Sequence, residues 1–214
     1  TGVMGGGKTT TAETLKATRP QTTLHYEEYW AIPQLAAFYE QLKGLTHALN
    51  NYFPDDPRVA HLRDILQNKE STTQSCFGAN KHRQMLLAAA ELTTGPVIQD
   101  AHRLNDVAYV SVHQDMDMIS PPNLNLYFAD SHLQYLCSPP HVKYPVVVHP
   151  LMSYPTLQHR ISQVRARDFE EGLPPDYLKA LYLANAQLIV ALQQWNYPVI
   201  IIDAETKDLR PENG

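Results

Sequence analysis

The chain has 214 residues, 43% of them hydrophobic and 18% charged, a composition ordinary for a soluble globular protein and long enough for one domain with a sizeable core. A formal net charge of −5 argues against a general nucleic-acid or membrane surface, and no apolar run approaches the length of a membrane span. Cys76 and Cys137 form neither a CxxC pair nor a disulfide framework, and the ten histidines contain no HxxxH or HExxH, so a reducing compartment is expected and a zinc site is not.

In chain order, Gly2-Val3-Met4-Gly5-Gly6-Gly7-Lys8-Thr9 fits the phosphate-loop pattern GxxxxGK[ST] and runs through Thr10 into a helix expected over 8–17, which Arg19-Pro20 stops. The chemistry needs these residue types at this spacing. Glycines let the backbone wrap a phosphate chain with its N–H groups pointing inward, and the helix adds its N-terminal dipole. Lys8 can reach the β/γ-phosphates and the Thr9 hydroxyl can ligate Mg²⁺, so a nucleoside triphosphate is the expected ligand. Such a loop normally follows a buried strand. Only Thr1 precedes Gly2, so the first strand is expected to be missing from this chain.

Thr22 to Tyr26 reads as a short strand ending at Glu27-Glu28, and residues 34–49 as a helix. Asn50 to Pro57 is a turn-rich break, followed by two helices over 58–68 and 74–92. Val97-Ile98-Gln99-Asp100 is a buried strand ending in an acid. The stretch 116–142 is the least legible, with one helix over 128–137. Tyr144 to His149 is a strand by its β-branched run, 155–167 a basic helix, 175–195 a long amphipathic helix, and Val199 to Asp203 a last buried strand. Buried runs alternating with helices predict a single α/β domain, 1–214, around a mainly parallel sheet.

This order of signals resembles the deoxynucleoside kinases, closest in pattern to the herpesviral thymidine kinases. The resemblance implies a P-loop NTPase fold and transfer of phosphate from ATP-Mg²⁺ to the 5′-hydroxyl of a pyrimidine deoxynucleoside such as thymidine. It also implies an intracellular salvage enzyme serving DNA synthesis, a small-molecule nucleoside as partner, and a possible homodimer through residues 34–49 and 74–92.

Residue by residue, Gly2, Gly5, Gly6, Gly7, Lys8, Thr9 and Thr10 match the phosphate loop. Glu27-Glu28-Tyr29-Trp30 resembles the family's E-P-x-x-x-W without its proline and about two residues short, which implies Glu27, with Glu28 second, as general base and Trp30 at the substrate. Thr73-Gln74-Ser75-Cys76-Phe77 resembles the F-Q-S-Y helix, whose Gln hydrogen-bonds the base edge. A competing register puts Glu91 there; Gln74 keeps the following strand in register. Lys81 falls where some cellular members carry an arginine that meets an acid near the base, and Asp106 sits where cellular members use S-D-R, with the acid beside the base.

Asp100-Ala101-His102 resembles the family's acid-Arg pair with the arginine replaced. Asp100 would hold Mg²⁺ with Thr9. Ala101 supplies no charge, and Arg103 lies two residues round the emerging helix. Arg165-Ala166-Arg167-Asp168-Phe169-Glu170 fits the lid pattern R-x-R-x-x-E, which implies a lid over about 155–172. Arg165 and Arg167 would close over the triphosphate, and Glu170, or else Glu171, would bind the sugar 3′-hydroxyl. Arg160 stands one residue too far upstream for the usual lid spacing, about 100° of helix rotation. Ile201-Ile202-Asp203-Ala204 resembles the strand whose following loop flanks adenine. The family's tyrosine near the sugar has no match at its spacing, and Tyr52 is a weak candidate. The departures at Ala101 and in the acid motif leave open a second reading, a catalytically degenerate nucleotide-binding member with a structural or regulatory role.

Overall fold

The computed structural model describes residues 6–27, 41, 44–45, 47–49, 51, 56–165 and 175–206, with only the backbone for 163–165. Gly7 adopts φ 79°, a left-handed conformation that glycine takes without steric cost, and helix α1 (Lys8–Thr18) starts directly after it. Strand β1 (Thr23–His25) pairs in parallel with β2 (Val97–Gln99), Leu24 opposite Ile98. A second parallel pair joins β3 (Val147–Leu151) to β4 (Val199–Asp203), His149 opposite Ile201. Helix α1 lies against β1, β2 and β3, so one helix spans both pairs.

Between the strands of the first pair runs α2 (Pro57–Glu91), 35 residues and about 52 Å long at 1.5 Å per residue. The sequence predicts two helices here, broken in the polar run around Asn68 to Thr73. The chain contains no proline or glycine in that run, and the Thr72 and Thr73 hydroxyls donate to the carbonyls of Asn68 and Lys69, one turn back. The helix therefore continues. Its start is firm: Asp56 accepts from the Arg58 amide, with Pro57 at the first helical position.

Helix α3 (Leu104–Asp115), of which the sequence indicates only an emerging start beside Arg103, packs along α6 (Pro175–Gln194). Their shared core contains Val112, Leu157, Leu178 and the fully buried Leu181, and continues into Ala108, Val147, Leu188, Ile189 and Leu192. Each such leucine contributes about 1.5–3 kcal/mol by burial. Helix α4 (Pro121–Cys137) begins earlier than the expected 128, because Ser120 accepts from the Asn123 amide and Pro121 opens the first turn. A 3₁₀ turn (Pro140–Val142) leads to β3, which starts at Val147 rather than Tyr144. Pro145 has no N–H to give a ladder, and the first bond runs from the Val147 amide to Pro198 O at 2.8 Å. The expected basic helix divides in two: α5 (Tyr154–His159), capped by Ser153, runs into a π-helical turn over Arg160–Arg165.

Candidate active site

The phosphate end is assembled from four elements. Gly6 and Gly7 turn the chain into α1, whose first residues are Lys8, Thr9 and Thr10. Thr9 Oγ1 donates to Asp100 Oδ2 at 2.7 Å across the end of β2. Asp100 is 6% exposed, its amide donates to His25 O at 2.9 Å, and its Oδ1 has no hydrogen-bond partner among the described residues. A hydroxyl and a carboxylate with a buried, unsatisfied oxygen are hard oxygen donors, the ligand chemistry that suits Mg²⁺. Among the described residues no group of three or more His, Cys, Asp or Glu could hold a metal, so substrate phosphates and water would complete the shell.

From the other side, Arg160 reaches back to this loop. Its Nη1 lies 3.8 Å from where a Cβ on Gly7 would stand, and its Nη2 donates to Ala204 O at 2.7 Å. The turn after β4 is closed by Asp203, whose carboxylate accepts from the Glu205 amide at 2.9 Å and from the Thr206 hydroxyl at 2.6 Å. His149 of β3 is buried here, and burial, helped by the nearby charge of Lys8, depresses its pKa to about 4.

The second end gathers around Lys81, 5% exposed, which contacts Glu27 Oε1 at 2.9 Å and forms a tighter ion pair with Asp106. Burial opposes the charge on Lys81, but the Asp106 and Glu27 carboxylates outweigh it and hold the ammonium well above its ordinary pKa. Burial raises the Asp106 carboxyl while Lys81 opposes that rise. Asp106 Oδ2 has no hydrogen-bond partner among the described residues. Gln84 Nε2 donates to Tyr26 O at 2.6 Å, so α2 holds the chain on either side of the Tyr26–Glu27 peptide.

Two turns before Lys81, and hence on the same face of α2, stands Gln74. It is 5% exposed, and its Nε2 donates to Glu70 Oε1 at 2.7 Å. His113 Nδ1 also lies 2.7 Å from Glu70 Oε1, and His113 Nε2 meets Tyr177 OH at 2.7 Å beneath a stacked ring pair with centroids 5.6 Å apart. Burial pushes the Glu70 carboxyl up, but the facing charge of His113 and hydrogen bonds from His113 and Gln74 outweigh it, leaving Glu70 below its ordinary value. Glu91 of the competing register instead sits near the far end of α2, paired with His25 at 2.8 Å.

Ala101 is 3% exposed. His102 Nδ1 accepts from the Leu104 amide at 3.2 Å, and burial depresses its pKa to about 3, so it is neutral. Arg103 donates through Nη2 to Ser131 O on α4, committing that nitrogen away from the Thr9–Asp100 pair. The expected Gly2, Gly5, Glu28, Trp30, Arg167, Glu170, Glu171 and Tyr52 lie outside the described residues, and Arg165 is described in its backbone alone. The Glu70–His113–Tyr177 network was not anticipated. A Glu70-Gln74 spacing of four is a weak helical signal, and nothing in the sequence ties either residue to His113, 39 positions beyond Gln74.

A glycine turn opening a helix, parallel strands behind it, and an acid facing the Thr9 hydroxyl define a P-loop NTPase. A family model, "Deoxynucleoside kinase", matches residues 1–213, and the chain belongs to that family. No curated protein matches the chain. Among solved structures it is similar to deoxyadenosine kinase from M. mycoides with products dCMP and a flexible dCDP bound, at 17% identity and TM-score 0.72 over 98% of this chain and 90% of that one. The same enzyme with bound dATP gives 17% identity and TM-score 0.70 over 99% and 92% of the two chains. With bound dCTP the values are 16% and 0.65 over 96% and 89%. No described helix is long and apolar enough to cross a membrane.

Proposed function

We propose that the protein transfers the γ-phosphoryl group of ATP to the 5′-hydroxyl of a pyrimidine deoxynucleoside, with thymidine and deoxycytidine as the two substrates to compare. The Thr9–Asp100 bond across the mouth of the phosphate loop carries this reading, because it sets the two oxygen donors of a Mg²⁺ site beside Lys8. Mg²⁺ at Thr9 and Asp100 would neutralise charge on the phosphates. Lys8 and the loop amides, among them Gly6 and Gly7, hold the β/γ-phosphates. Glu27 accepts the proton of the 5′-hydroxyl as that oxygen attacks the γ-phosphorus, and ADP leaves. Arg160, with Arg165 and Arg167 of the lid, screens the phosphate charge. Gln74 and Asp106 face the base, with Trp30 and Glu170 completing the nucleoside site. Asp106 Oδ2, without a hydrogen-bond partner among the described residues, is an acceptor, which favours a base carrying an exocyclic amine, cytosine among the pyrimidines.

The reaction places the protein inside the cell as a salvage enzyme. Leu86 and Leu87, exposed on α2, support pairing of two copies along that helix. One observation favours a second reading, a nucleotide-binding relative that has lost catalysis. Ala101 stands where the family resemblance places an arginine, and the neighbouring Arg103 spends one guanidinium nitrogen on Ser131 O. Loss of one preorganised cation costs about 10²- to 10³-fold in rate.

The test is transfer of labelled phosphate from ATP-Mg²⁺ to a panel of deoxynucleosides, with Lys8→Ala as control and Ala101→Arg as gain-of-function variant. Transfer that vanishes in the control establishes the kinase, and a rise in Ala101→Arg identifies the missing cation. ATP binding without transfer, unchanged in Ala101→Arg, favours the non-catalytic reading.

A further inference from the structure

We infer that Glu70 is a positioning residue for base selectivity: held by His113 and Tyr177, it pins the Gln74 side-chain amide in one of its two flips. The inference rests on the reading that Gln74 faces the base. An amide side chain offers an oxygen acceptor and an NH₂ donor of nearly the same shape, and a half-turn about its last bond exchanges them. Cytosine and thymine differ in the same sense. The former presents an amine donor beside a ring-nitrogen acceptor, and the latter a carbonyl acceptor beside a ring N–H donor. An amide free to flip serves both bases, whereas a pinned amide serves one.

Three observations pin it. Gln74 Nε2 donates to Glu70 Oε1 at 2.7 Å with both residues buried, so no water competes for that bond. Glu70 Oε1 also receives His113 Nδ1 at 2.7 Å, which makes the carboxylate an acceptor on both sides and repels the Gln74 carbonyl in the flipped form. The 3.3 Å approach of Gln74 Nε2 to His113 Nδ1 offers no alternative, since that nitrogen gives its proton to Glu70. The far end of the network is Tyr177 near the start of α6, bonded to His113 Nε2 and stacked on its ring. The planar amide then turns its carbonyl oxygen away from Glu70. A charge-assisted bond of this kind, lost on flipping, holds one orientation over the other by roughly ten- to hundredfold.

The test compares kcat/KM for deoxycytidine and thymidine in the full chain and in Glu70→Gln, which keeps shape but can donate or accept. The expected result is a selectivity ratio that moves toward one by roughly tenfold, through KM, because the disfavoured base gains. Tyr177→Phe should move the ratio the same way by a smaller factor, and carries the test if Glu70→Gln does not fold. A folded Glu70→Gln, or failing that Tyr177→Phe, with the wild-type ratio overturns the inference. Gln74→Met separates it from the reading beneath. If KM for both nucleosides is unchanged in that variant, Gln74 does not face the base and both fall. If KM rises while the ratio ignores Glu70, only the positioning role falls.

Discussion

Removing the ammonium of Lys81 tests the buried ion cluster most directly. Lys81→Met keeps the length of the side chain and leaves Asp106, with 4% of its side chain exposed, as an unpaired carboxylate inside the protein. Breaking a buried pair on one side costs about 3–5 kcal/mol. For a chain of this size that lowers the melting temperature by roughly 6–20 °C. The penalty has a sign in pH. Without Lys81, burial raises the Asp106 carboxyl further above its unfolded value, so the native state holds its proton longer than the unfolded state does. Stability of the variant therefore falls as pH rises through that interval, and its deficit against wild type is greater at pH 8 than at pH 5. Urea unfolding at both pH values measures this. A double variant, Lys81→Met with Asp106→Leu, should recover most of the loss, because apolar residues replace a buried pair at little cost. A single variant within 0.5 kcal/mol (about the scatter of a surface substitution) of wild type at pH 8 would refute the buried-pair argument, and with it the anchoring of Glu27 through Lys81.

Asp100→Asn keeps a partner for the Thr9 hydroxyl but removes the charge, so kcat should fall about 10²- to 10³-fold with little change in melting temperature; activity within threefold of wild type would take Asp100 out of the metal site. His149 and His102 are held neutral by burial at about 4 and about 3. Their folded values lie below the unfolded one, so the unfolded state takes up protons first and stability falls as pH drops below about 6.5. From pH 6.5 to 5 each histidine should withdraw about 1.6 kcal/mol, read as a falling urea midpoint, and His149→Asn should remove about half of that slope.

What was legible in the sequence follows from which residues carry a pattern. The phosphate loop is legible because its glycines and Lys8-Thr9 are consecutive, and β4 because Val199 to Ile202 is an unbroken apolar run. Helix α2 reads as two because its buried face turns polar in the middle, where Glu70, Thr73 and Gln74 point inward between the apolar Leu66 and Phe77. Hydrophobic periodicity cannot find a face built from hydrogen bonds and ion pairs. That same polarity marks the candidate site, where local sequence rules give way to function. Lys81 and Asp106 each carry a family resemblance but are paired only by the fold, and His113 and Tyr177 come together only through the packing of α3 on α6.

The π-helical turn over Arg160–Arg165 bears on the arginine spacing of the lid expected from the sequence. In an α-helix, positions five apart stand about 140° from one another round the axis. The slower winding of i→i+5 bonding brings them within roughly 60°. Backbone positions 160 and 165 thus approach a common face, and a π-helical pitch of this kind would offset the one-residue departure that the sequence resemblance assigns to Arg160.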